Sequence, residues 1–233
     1  MTTVDYRSFS QGSDNACWIA SALSALAFQR PAEILAMIED LGDDRYRVSP
    51  PGCPGESFDV APASDEASSS FSSDWVWAKA IHMALGQKLG AEVVRNEKVW
   101  NWDRTITLLT GNGTVHNTNF SGLGFGTILE RVRTKLDRTN RGKIAIASTA
   151  NHQPSGSAAQ ALAGPANDDA LRSGHVYAVF GFDGGTDRVR MRNPCGNTNV
   201  PAARKDPTWG PGEFWLTVAE FEKNLQVMSY ERE

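Results

Sequence analysis

The feature that most constrains this chain is the segment at residues 11–27, QGSDNACWIASALSALA. A glutamine and a polar run come first, and a cysteine and a tryptophan then open an apolar, alanine-rich stretch. Apolar residues recur at helical spacing from Ile19 to Ala27, so the segment predicts a buried helix. One of the residues 13–15 (Ser-Asp-Asn) can cap this helix at its N-terminus.

Cys17 begins this helix, so it is either an inert core thiol or a nucleophile. The thiolate is the reactive form, and a helix N-terminus or a nearby imidazolium lowers the pKa of a thiol. No histidine lies close to Cys17 in sequence, so a partner must come from elsewhere in the fold. His82 falls in an amphipathic helical pattern, and His116 and His152 fall in polar stretches, whereas His175 begins an apolar strand. His175 is therefore the predicted partner.

The strand that returns after the turn beyond His175 ends at Asn193. A two-residue loop, Gly184 and Gly185, would set His175 opposite Pro194. A three-residue loop or one bulge would set it opposite Asn193 on the same face, where the amide can accept a hydrogen bond from the ring. We therefore predict an odd loop or a bulge in this hairpin.

A glutamine ahead of the cysteine completes the candidate site. The Gln11 amide can donate a hydrogen bond to the oxygen of a tetrahedral intermediate, with the backbone N–H of Cys17 as the second donor. Loss of one such donor typically costs about 2.7–4 kcal/mol of transition-state stabilisation. The other two cysteines have simpler interpretations: Cys53 is an inert thiol in a proline-rich turn, and Cys195 is a spacer near the cleft.

Composition limits the partners that we expect. The chain has 233 residues, 40% of them hydrophobic, and a formal net charge of −4, which predicts a globular protein without a nucleic-acid or membrane partner. No apolar run approaches the roughly 18 residues of a membrane span, and the N-terminus lacks the features of a signal peptide. Three cysteines are an odd count, so we expect free thiols and a cytoplasmic location. Delivery as an effector or toxin domain stays open.

Helical patterns dominate before about residue 112 and β patterns after about residue 143, which predicts an α+β fold. We expect residues 1–112 to form a helical lobe that carries the nucleophile. Residues 113–233 are expected to form an antiparallel, β-rich lobe that carries the histidine and the asparagine. The glycine-containing segment 108–114, LLTGNGT, is interpreted as the junction between the lobes.

Individual elements follow from the same patterns. Besides the helix that begins near Cys17, helices are predicted over residues 31–42, 74–90 and 125–142. Strands are predicted in 43–63 (two short ones around a Pro/Gly turn), 143–149, 174–183, 187–194 and 212–221.

With these residues assembled, the sequence resembles the protease core of the calpain family of papain-like cysteine proteases. QGSDNACWIASALSAL matches the family's Gln-Gly, four residues, Cys-Trp opening, and WVWAKAIHMALGQKLG is similar to its Leu-Trp…Ala…Lys-Leu-Gly helix. LLTGNGT resembles its Thr-Gly-Gly junction. LRSGHVYAVFGF, VRMRNPCGN and GPGEFWLTVAEFEKNL resemble its Gly-His-Ala-Tyr, Arg-Asn-Pro-Trp-Gly and Asp-Gly-Glu-Phe-Trp segments. The matches run in family order from about residue 11 to 225.

The resemblance implies a papain-like fold with the active-site cleft between the two lobes. It implies that Cys17 is the nucleophile, His175 the acid and base, Asn193 the residue that orients the ring, and Gln11 part of the oxyanion hole. Three further residues are assigned to the cleft: Trp18, Gly174 and Trp209. The implied reaction is hydrolysis of protein or peptide substrates through a thioester acyl-enzyme, with an activator or a larger parent protein left open.

Two departures from the family pattern matter. The tryptophan after Asn-Pro is Cys195 here, so the aromatic cover over the catalytic pair is missing or comes from another residue, with Trp209 as the candidate. The following segment, 196–212, is shorter and poor in the acidic residues that calpains use for calcium, an ion that wants six to eight oxygen ligands. The acidic residues considered are Asp43, Asp44, Asp206 and Glu213. We therefore expect no cofactor and no calcium dependence.

Two other functions compete with a peptidase. A papain-like amidase, deamidase or transglutaminase would use the same cysteine and histidine on glutamine side chains or on wall peptides. A binding module would keep the fold without turnover. The joint presence of Gln11, Cys17, His175 and Asn193 argues against the binding module, and the change from tryptophan to Cys195 argues slightly for it.

Overall fold

A computed structural model of the chain describes most of the protein. The described residues are 3–7, 10–11, 16–62, 76–90, 102–118, 133–134, 136–149, 171, 173–196, 200–225 and 227–232.

The described residues contain five α-helices and nine strands. The helices are α1 (Cys17–Gln29), α2 (Pro31–Ala36), α3 (Val76–Leu89), α4 (Trp102–Thr110) and α5 (Val218–Asn224). The strands are β1 (Ile38–Gly42), β2 (Arg45–Val48), β3 (Phe58–Val60), β4 (Thr114–Thr118), β5 (Ala145–Ser148), β6 (Val176–Asp183), β7 (Arg188–Arg192), β8 (Glu213–Thr217) and β9 (Val227–Glu231). Single 3-10 turns lie at Thr139–Arg141 and Ala202–Arg204. In this part of the chain no helix is long and apolar enough to cross a membrane.

The strands form two antiparallel sheets. A small sheet has the order β1-β2-β3, and a six-stranded sheet has the order β4-β9-β5-β6-β7-β8. Every paired neighbour in both sheets is antiparallel. The fold is therefore of the α+β class with antiparallel sheets, as the sequence predicts.

The large sheet separates two apolar cores. Ile146 and Ala178 lie in one core with α1 and α3, whereas the neighbouring Ala147 and Val179 lie in the other core with α5. This alternation follows from the period of two along a strand. The helix α1 is buried from Cys17 to Ala27, which suits its nearly continuous apolar sequence.

Two sequence predictions need correction, and two strands were not predicted. The helix predicted over 31–42 ends at Ala36, because β1 follows and pairs with β2 through a tight turn. The strand predicted over 212–221 ends at Thr217, where a capping box starts α5. The sequence also gave no indication of β4 and β9, which pair with each other across more than 100 residues of chain.

Other predicted elements are confirmed. The structure contains the helix predicted to begin near Cys17, which is α1, and the helix predicted over 74–90, which is α3. It also contains the strand predicted over 143–149 and both strands of the hairpin after residue 174, which are β5, β6 and β7. The pair of short strands in 43–63 forms β2 and β3. Half of the helix predicted over 125–142, residues 125–132 and 135, lies outside the described residues.

The predicted lobe boundary at residue 112 falls between α4 and β4. The core around α1 combines residues from both sides of this boundary, for example Leu23 and Val176. The division into two lobes, 1–112 and 113–233, stays a prediction.

Candidate active site

Cys17 is the first residue of α1, and only 2% of its surface is exposed. The N-cap is Ala16, whose side chain cannot accept a hydrogen bond, so no N-cap side chain competes for the first amide groups of the helix. The residues predicted to cap the helix, 13–15, lie outside the described residues. Cys17 thus begins the helix at the end where the partial charge of the helix dipole is positive.

Two hydrogen bonds fasten α1 to the strands that carry His175 and Asn193. Ser21 Oγ donates to the carbonyl oxygen of Val176 over 2.9 Å, and Val176 directly follows His175. Arg192 Nη1 donates to Ser24 Oγ over 2.8 Å, and Arg192 directly precedes Asn193. The two serines follow Cys17 by about one and two helical turns. Both strand ends are therefore positioned relative to the helix that begins at Cys17.

Arg192 is a buried cation in this connection. Its side chain also donates from Nε to the carbonyl oxygen of Pro211, and it is fully buried. Burial lowers the pKa of Arg192 to about 10, and the negative charge of Glu213 opposes the shift. The guanidinium therefore stays charged at neutral pH and holds β7 against α1.

His175 and Asn193 contact each other directly. His175 Nε2 and Asn193 Oδ1 are 2.9 Å apart, and both residues are buried. The same Oδ1 accepts a hydrogen bond from the backbone N–H of Cys195 over 3.0 Å, so the oxygen end of the amide faces the ring. Nε2 is then the protonated nitrogen of the neutral ring, and Nδ1 is the basic nitrogen.

The hairpin that presents these residues contains the predicted bulge. Phe180 is the extra residue of β6, because Val179 pairs with Met191 and Gly181 pairs with Arg190. The loop between the paired residues Asp183 and Arg188 has four residues, 184–187, instead of three. Within this loop the backbone N–H groups of residues 185 and 186 donate to Asp183 Oδ1.

The register of this hairpin corrects one sequence prediction. The observed register, continued past the last paired residues, sets Tyr177 opposite Asn193. His175 and Asn193 are therefore diagonal neighbours on one face of the hairpin and not directly opposed, a separation that a long side chain can span.

Thr149 holds the backbone of His175 at the edge of β5. The His175 N–H donates to Thr149 Oγ1 over 3.1 Å, and the Thr149 N–H donates to the His175 carbonyl oxygen over 3.2 Å. Tyr177 presents its ring edge-on to the imidazole, with the ring centroids 5.0 Å apart. The sequence analysis predicted neither the Thr149 contact nor the Tyr177 contact. Only the Tyr177 contact has a signal in the sequence, because residues two positions apart on a strand point to the same face.

Gln11 lies against the chain just after Asn193. Its backbone N–H donates to the carbonyl oxygen of Pro194 over 2.7 Å, and its side chain is mostly buried. Its Oε1 is 3.9 Å from Cys195 Sγ, which in turn is 3.8 Å from His175 Nε2. The role of Gln11 as a donor to an oxyanion stays a prediction.

Cys195 therefore lies inside this cluster, in contact with two of the predicted site residues. It is partly exposed, whereas Cys17 and Cys53 are buried. Cys53 lies in a turn where its N–H donates to the Pro50 carbonyl oxygen, and burial raises the pKa of its thiol. These properties fit the interpretation of Cys53 as an inert turn thiol.

The three residues assigned to the cleft lie in different environments. Trp18 is buried in the core around α1. Gly174 is exposed directly before His175, with a φ of 61° that favours glycine. The Trp209 ring lies over the guanidinium of Arg190, with 4.6 Å between ring centroid and Cζ. The role of Trp209 as a cover for the site stays a prediction.

Two of the acidic residues considered as calcium ligands, Glu213 and Asp206, accept hydrogen bonds from other groups of the protein. Glu213 Oε2 pairs with Arg190, and its Oε1 accepts from the N–H of Gly210. Asp206 Oδ1 accepts from the N–H and the hydroxyl of Thr208. Over the residues that the structure describes, no group of three or more His, Cys, Asp or Glu side chains could hold a metal ion.

No protein-family model matches the sequence, and a search of curated proteins finds no match.

Proposed function

We infer that the protein is a cysteine endopeptidase of papain-like, calpain-related type, which cleaves protein substrates through a thioester acyl-enzyme. The observation that supports this proposal best is the 2.9 Å contact between His175 Nε2 and Asn193 Oδ1. Both residues were singled out from the sequence, and both strand ends are fastened to the helix that begins at Cys17. A pair of this kind orients an imidazole for proton transfer to and from a thiol.

In the proposed first step, the Cys17 thiolate attacks the carbonyl carbon of the scissile peptide. The C–S bond forms while the π electrons of the carbonyl move to its oxygen. The N–H of Cys17 and the amide of Gln11 donate hydrogen bonds to this oxyanion. The His175 imidazolium then gives its Nδ1 proton to the leaving nitrogen, the C–N bond breaks, and a thioester remains.

In the proposed second step, neutral His175 removes a proton from water, and the hydroxide oxygen attacks the thioester carbon. The tetrahedral intermediate expels the Cys17 thiolate, which ends as the ion pair with the imidazolium. Asn193 accepts the Nε2–H throughout, so the ring stays in the tautomer that keeps Nδ1 as the reacting nitrogen.

Alkylation of the three cysteines by iodoacetamide tests this proposal. Rates are measured from pH 4 to 9 and assigned to each cysteine by peptide mass spectrometry, with calcium and with chelator. We expect Cys17 to react fast well below the ordinary thiol pKa of about 8.5, and to lose this low-pH reactivity in His175→Ala. Cys53 serves as the internal control, because burial raises the pKa of its thiol.

If all three thiols react alike and only above pH 8, the proposal of an activated nucleophile is wrong. Product analysis then separates the enzyme classes: backbone cleavage of a protein substrate indicates a peptidase, whereas modification at glutamine without cleavage indicates a deamidase or transglutaminase. A Cys17→Ala protein that keeps its full biological effect would indicate a binding module.

A further inference from the structure

The segment before α1, of which residues 3–7 and 10–11 are described, is anchored by Tyr6. This residue is buried, with 8% of its surface exposed. Its ring stands edge-on to Phe28 near the end of α1 and to Phe180 of β6, with ring centroids 5.1 and 5.0 Å apart. Edge-to-face pairs stabilise aromatic packing beyond the burial of apolar area. Tyr6 therefore fastens this segment to the end of α1 that is remote from Cys17.

Hydrogen bonds fix the hydroxyl group and the backbone around Tyr6. The hydroxyl oxygen accepts from Arg190 Nη2 over 3.4 Å and from Arg7 Nε over 3.2 Å. Arg190 is itself held on β7 by its ion pair with the buried carboxylate of Glu213. Asp5 Oδ1 accepts from the backbone N–H of Arg7 over 2.9 Å and closes a turn around Tyr6. The ring and the hydroxyl group thus give residue 6 one position relative to α1, β6 and β7.

The same segment is fastened a second time at the candidate active site. The Gln11 N–H donates to the carbonyl oxygen of Pro194 over 2.7 Å, and Pro194 directly follows Asn193. Ser10 lies so close to the next turn that a Cβ atom added to Gly196 would be 3.2 Å from Ser10 Cβ. The backbone of Gln11 is therefore packed against the chain that carries Asn193.

Gln11 lies midway in sequence between two fixed points of the chain. Tyr6 is five positions before it, and Ala16, the fully buried N-cap of α1, is five positions after it. While Tyr6 is anchored, placing Gln11 against Pro194 has the entropic cost of closing two short loops. Without that anchor, the same hydrogen bond must order a chain that is free on one side, which costs more conformational entropy. The anchor at Tyr6 therefore favours the observed position of Gln11.

We propose that Tyr6 is a positioning residue of the active site, which holds Gln11 where its amide donates to the oxyanion formed at Cys17. The proposal rests on the proposed peptidase function, because it says how one donor of the oxyanion hole is kept in place. Phe28, which contacts Tyr6, is 11 positions beyond Cys17, or about 16 Å along the axis of α1. Tyr6 therefore acts through Gln11 and not on the substrate.

Two reactions of Cys17 separate stabilisation of an oxyanion from reactivity of the thiolate. In acetylation by p-nitrophenyl acetate, the thiolate adds to the carbonyl carbon, an oxyanion forms, and the C–O bond to p-nitrophenolate then breaks. Alkylation by iodoacetamide displaces iodide from a saturated carbon and forms no oxyanion. Both rates are measured on acid-quenched samples and assigned to Cys17 by peptide mass spectrometry. The ratio of acetylation to alkylation therefore reports the donors to the oxyanion.

We expect Gln11→Ala to lower this ratio by about tenfold or more, and Tyr6→Ala to lower it by about fivefold or more. The double variant should match Gln11→Ala, because a residue that acts through the Gln11 amide has no further effect once that amide is removed. Tyr6→Phe keeps the edge-on ring contacts and should stay within about twofold of the unsubstituted protein. The matched control is Tyr46→Ala, a buried tyrosine on β2 in the same core, which should leave the ratio unchanged.

An unchanged ratio in Tyr6→Ala overturns the proposal, as does a further decrease in the double variant, since Tyr6 would then act by another route. An unchanged ratio in Gln11→Ala also overturns it, because there would be no donor for Tyr6 to hold. Thermal melting shows whether each variant keeps its fold, and Tyr6→Leu replaces Tyr6→Ala if the latter melts below the assay temperature.

Hydrogen exchange of the Gln11 backbone N–H gives a readout that needs no reaction. We expect this exchange to be faster in Tyr6→Ala than in Tyr46→Ala, because the N–H is bonded to Pro194 only while the segment is anchored. Equal exchange in the two variants overturns the proposal. A failure of the peptidase proposal is distinguishable, because Cys17 of the unsubstituted protein would then be alkylated only above pH 8.

Discussion

At the scale of single residues, Asn193 connects two parts of the candidate site through its side-chain oxygen. Its Oδ1 accepts hydrogen bonds from the His175 ring and from the backbone N–H of Cys195. One buried oxygen thus fixes both the orientation of the imidazole and the path of the chain that carries Cys195. A hydrogen bond to a group that becomes charged is worth about 1.5–3 kcal/mol.

We therefore expect Asn193→Ala to lower kcat/KM for a protein substrate by about 10- to 100-fold. The ring would lose the acceptor that keeps Nδ1 as the reacting nitrogen. In the same variant, we expect Cys17 to lose its fast alkylation at low pH. The melting temperature shows whether the variant keeps its fold. An unchanged pH profile would contradict the role of Asn193 as a positioning residue.

The contact between His175 and Asn193 could be predicted from the sequence once a bulge was assumed, because the parity of the hairpin register decides which residues share a face. It does not contain the contact of Thr149 with the His175 backbone, which depends on how β5 pairs with β6. The proximity of Cys195 to Gln11 likewise joins residues that are 184 positions apart.

At the scale of elements, the short helix α5 depends on its first turn. Thr217 Oγ1 accepts a hydrogen bond from the N–H of Glu220, and the Glu220 carboxylate accepts one from the N–H of Thr217. Arg204 adds a bidentate ion pair with Glu220. The hydrogen bonds from Arg204, which are the largest cause, lower the pKa of Glu220 to about 2.

Glu220 therefore stabilises the fold only in its charged form. Because the pKa is lower in the folded than in the unfolded protein, the contribution is present above about pH 4.5 and is lost as the pH falls toward 2. We expect Glu220→Gln to reduce the free energy of unfolding by about 1–2 kcal/mol at pH 7, after allowance for solvent screening. Urea titrations at pH 7 and pH 3 should show that the deficit shrinks at the lower pH.

Glu222, on the same helix, is the matched control. Burial raises the pKa of Glu222, and its Oε2 has no hydrogen-bond partner within the described part of the chain. Glu222→Gln should therefore leave the stability at pH 7 unchanged or increase it. A loss as large as that of Glu220→Gln would show that any charge on α5 is required, and the capping argument would be wrong.

The Thr-x-x-Glu spacing of this capping box is visible in the sequence and could have separated β8 from α5. The end of α2 is harder to predict. Its apolar residues continue at helical spacing into Met37 and Ile38, and the pairing of β1 with β2 overrides that pattern.

At the scale of the whole molecule, Glu231 joins four parts of the fold. Its buried carboxylate accepts two hydrogen bonds from Arg30 after α1, one from Asn112 between α4 and β4, and one from the N–H of Ile144 before β5. The α+β class was predictable from the order of patterns along the chain. The insertion of β9 between β4 and β5 was not, because it brings together segments that are distant in sequence.

Loss of one charge from this cluster should destabilise the entire protein. Breaking a buried ion pair from one side typically costs about 3–5 kcal/mol, which corresponds to a decrease in Tm of roughly 10 °C for a chain of this size. We expect Glu231→Gln to show a decrease of this order by calorimetry. Glu56→Gln, which removes an exposed pair with Lys88, should change Tm by only one or two degrees. Similar effects of the two substitutions would contradict this assignment.

The hydrogen bonds between Thr149 and His175 also close the connection between β5 and β6 at its base. The entropy of closing a loop rises only slowly with its length, so an insertion between Thr149 and the buried Leu171 adds little closure entropy. The Thr149 contacts hold the His175 backbone at any length of this connection, whereas Gly174, next to His175, has a positive φ that favours glycine. Evolution, or a protein engineer, can therefore change the length of this connection while the pairing of Thr149 with His175 is kept.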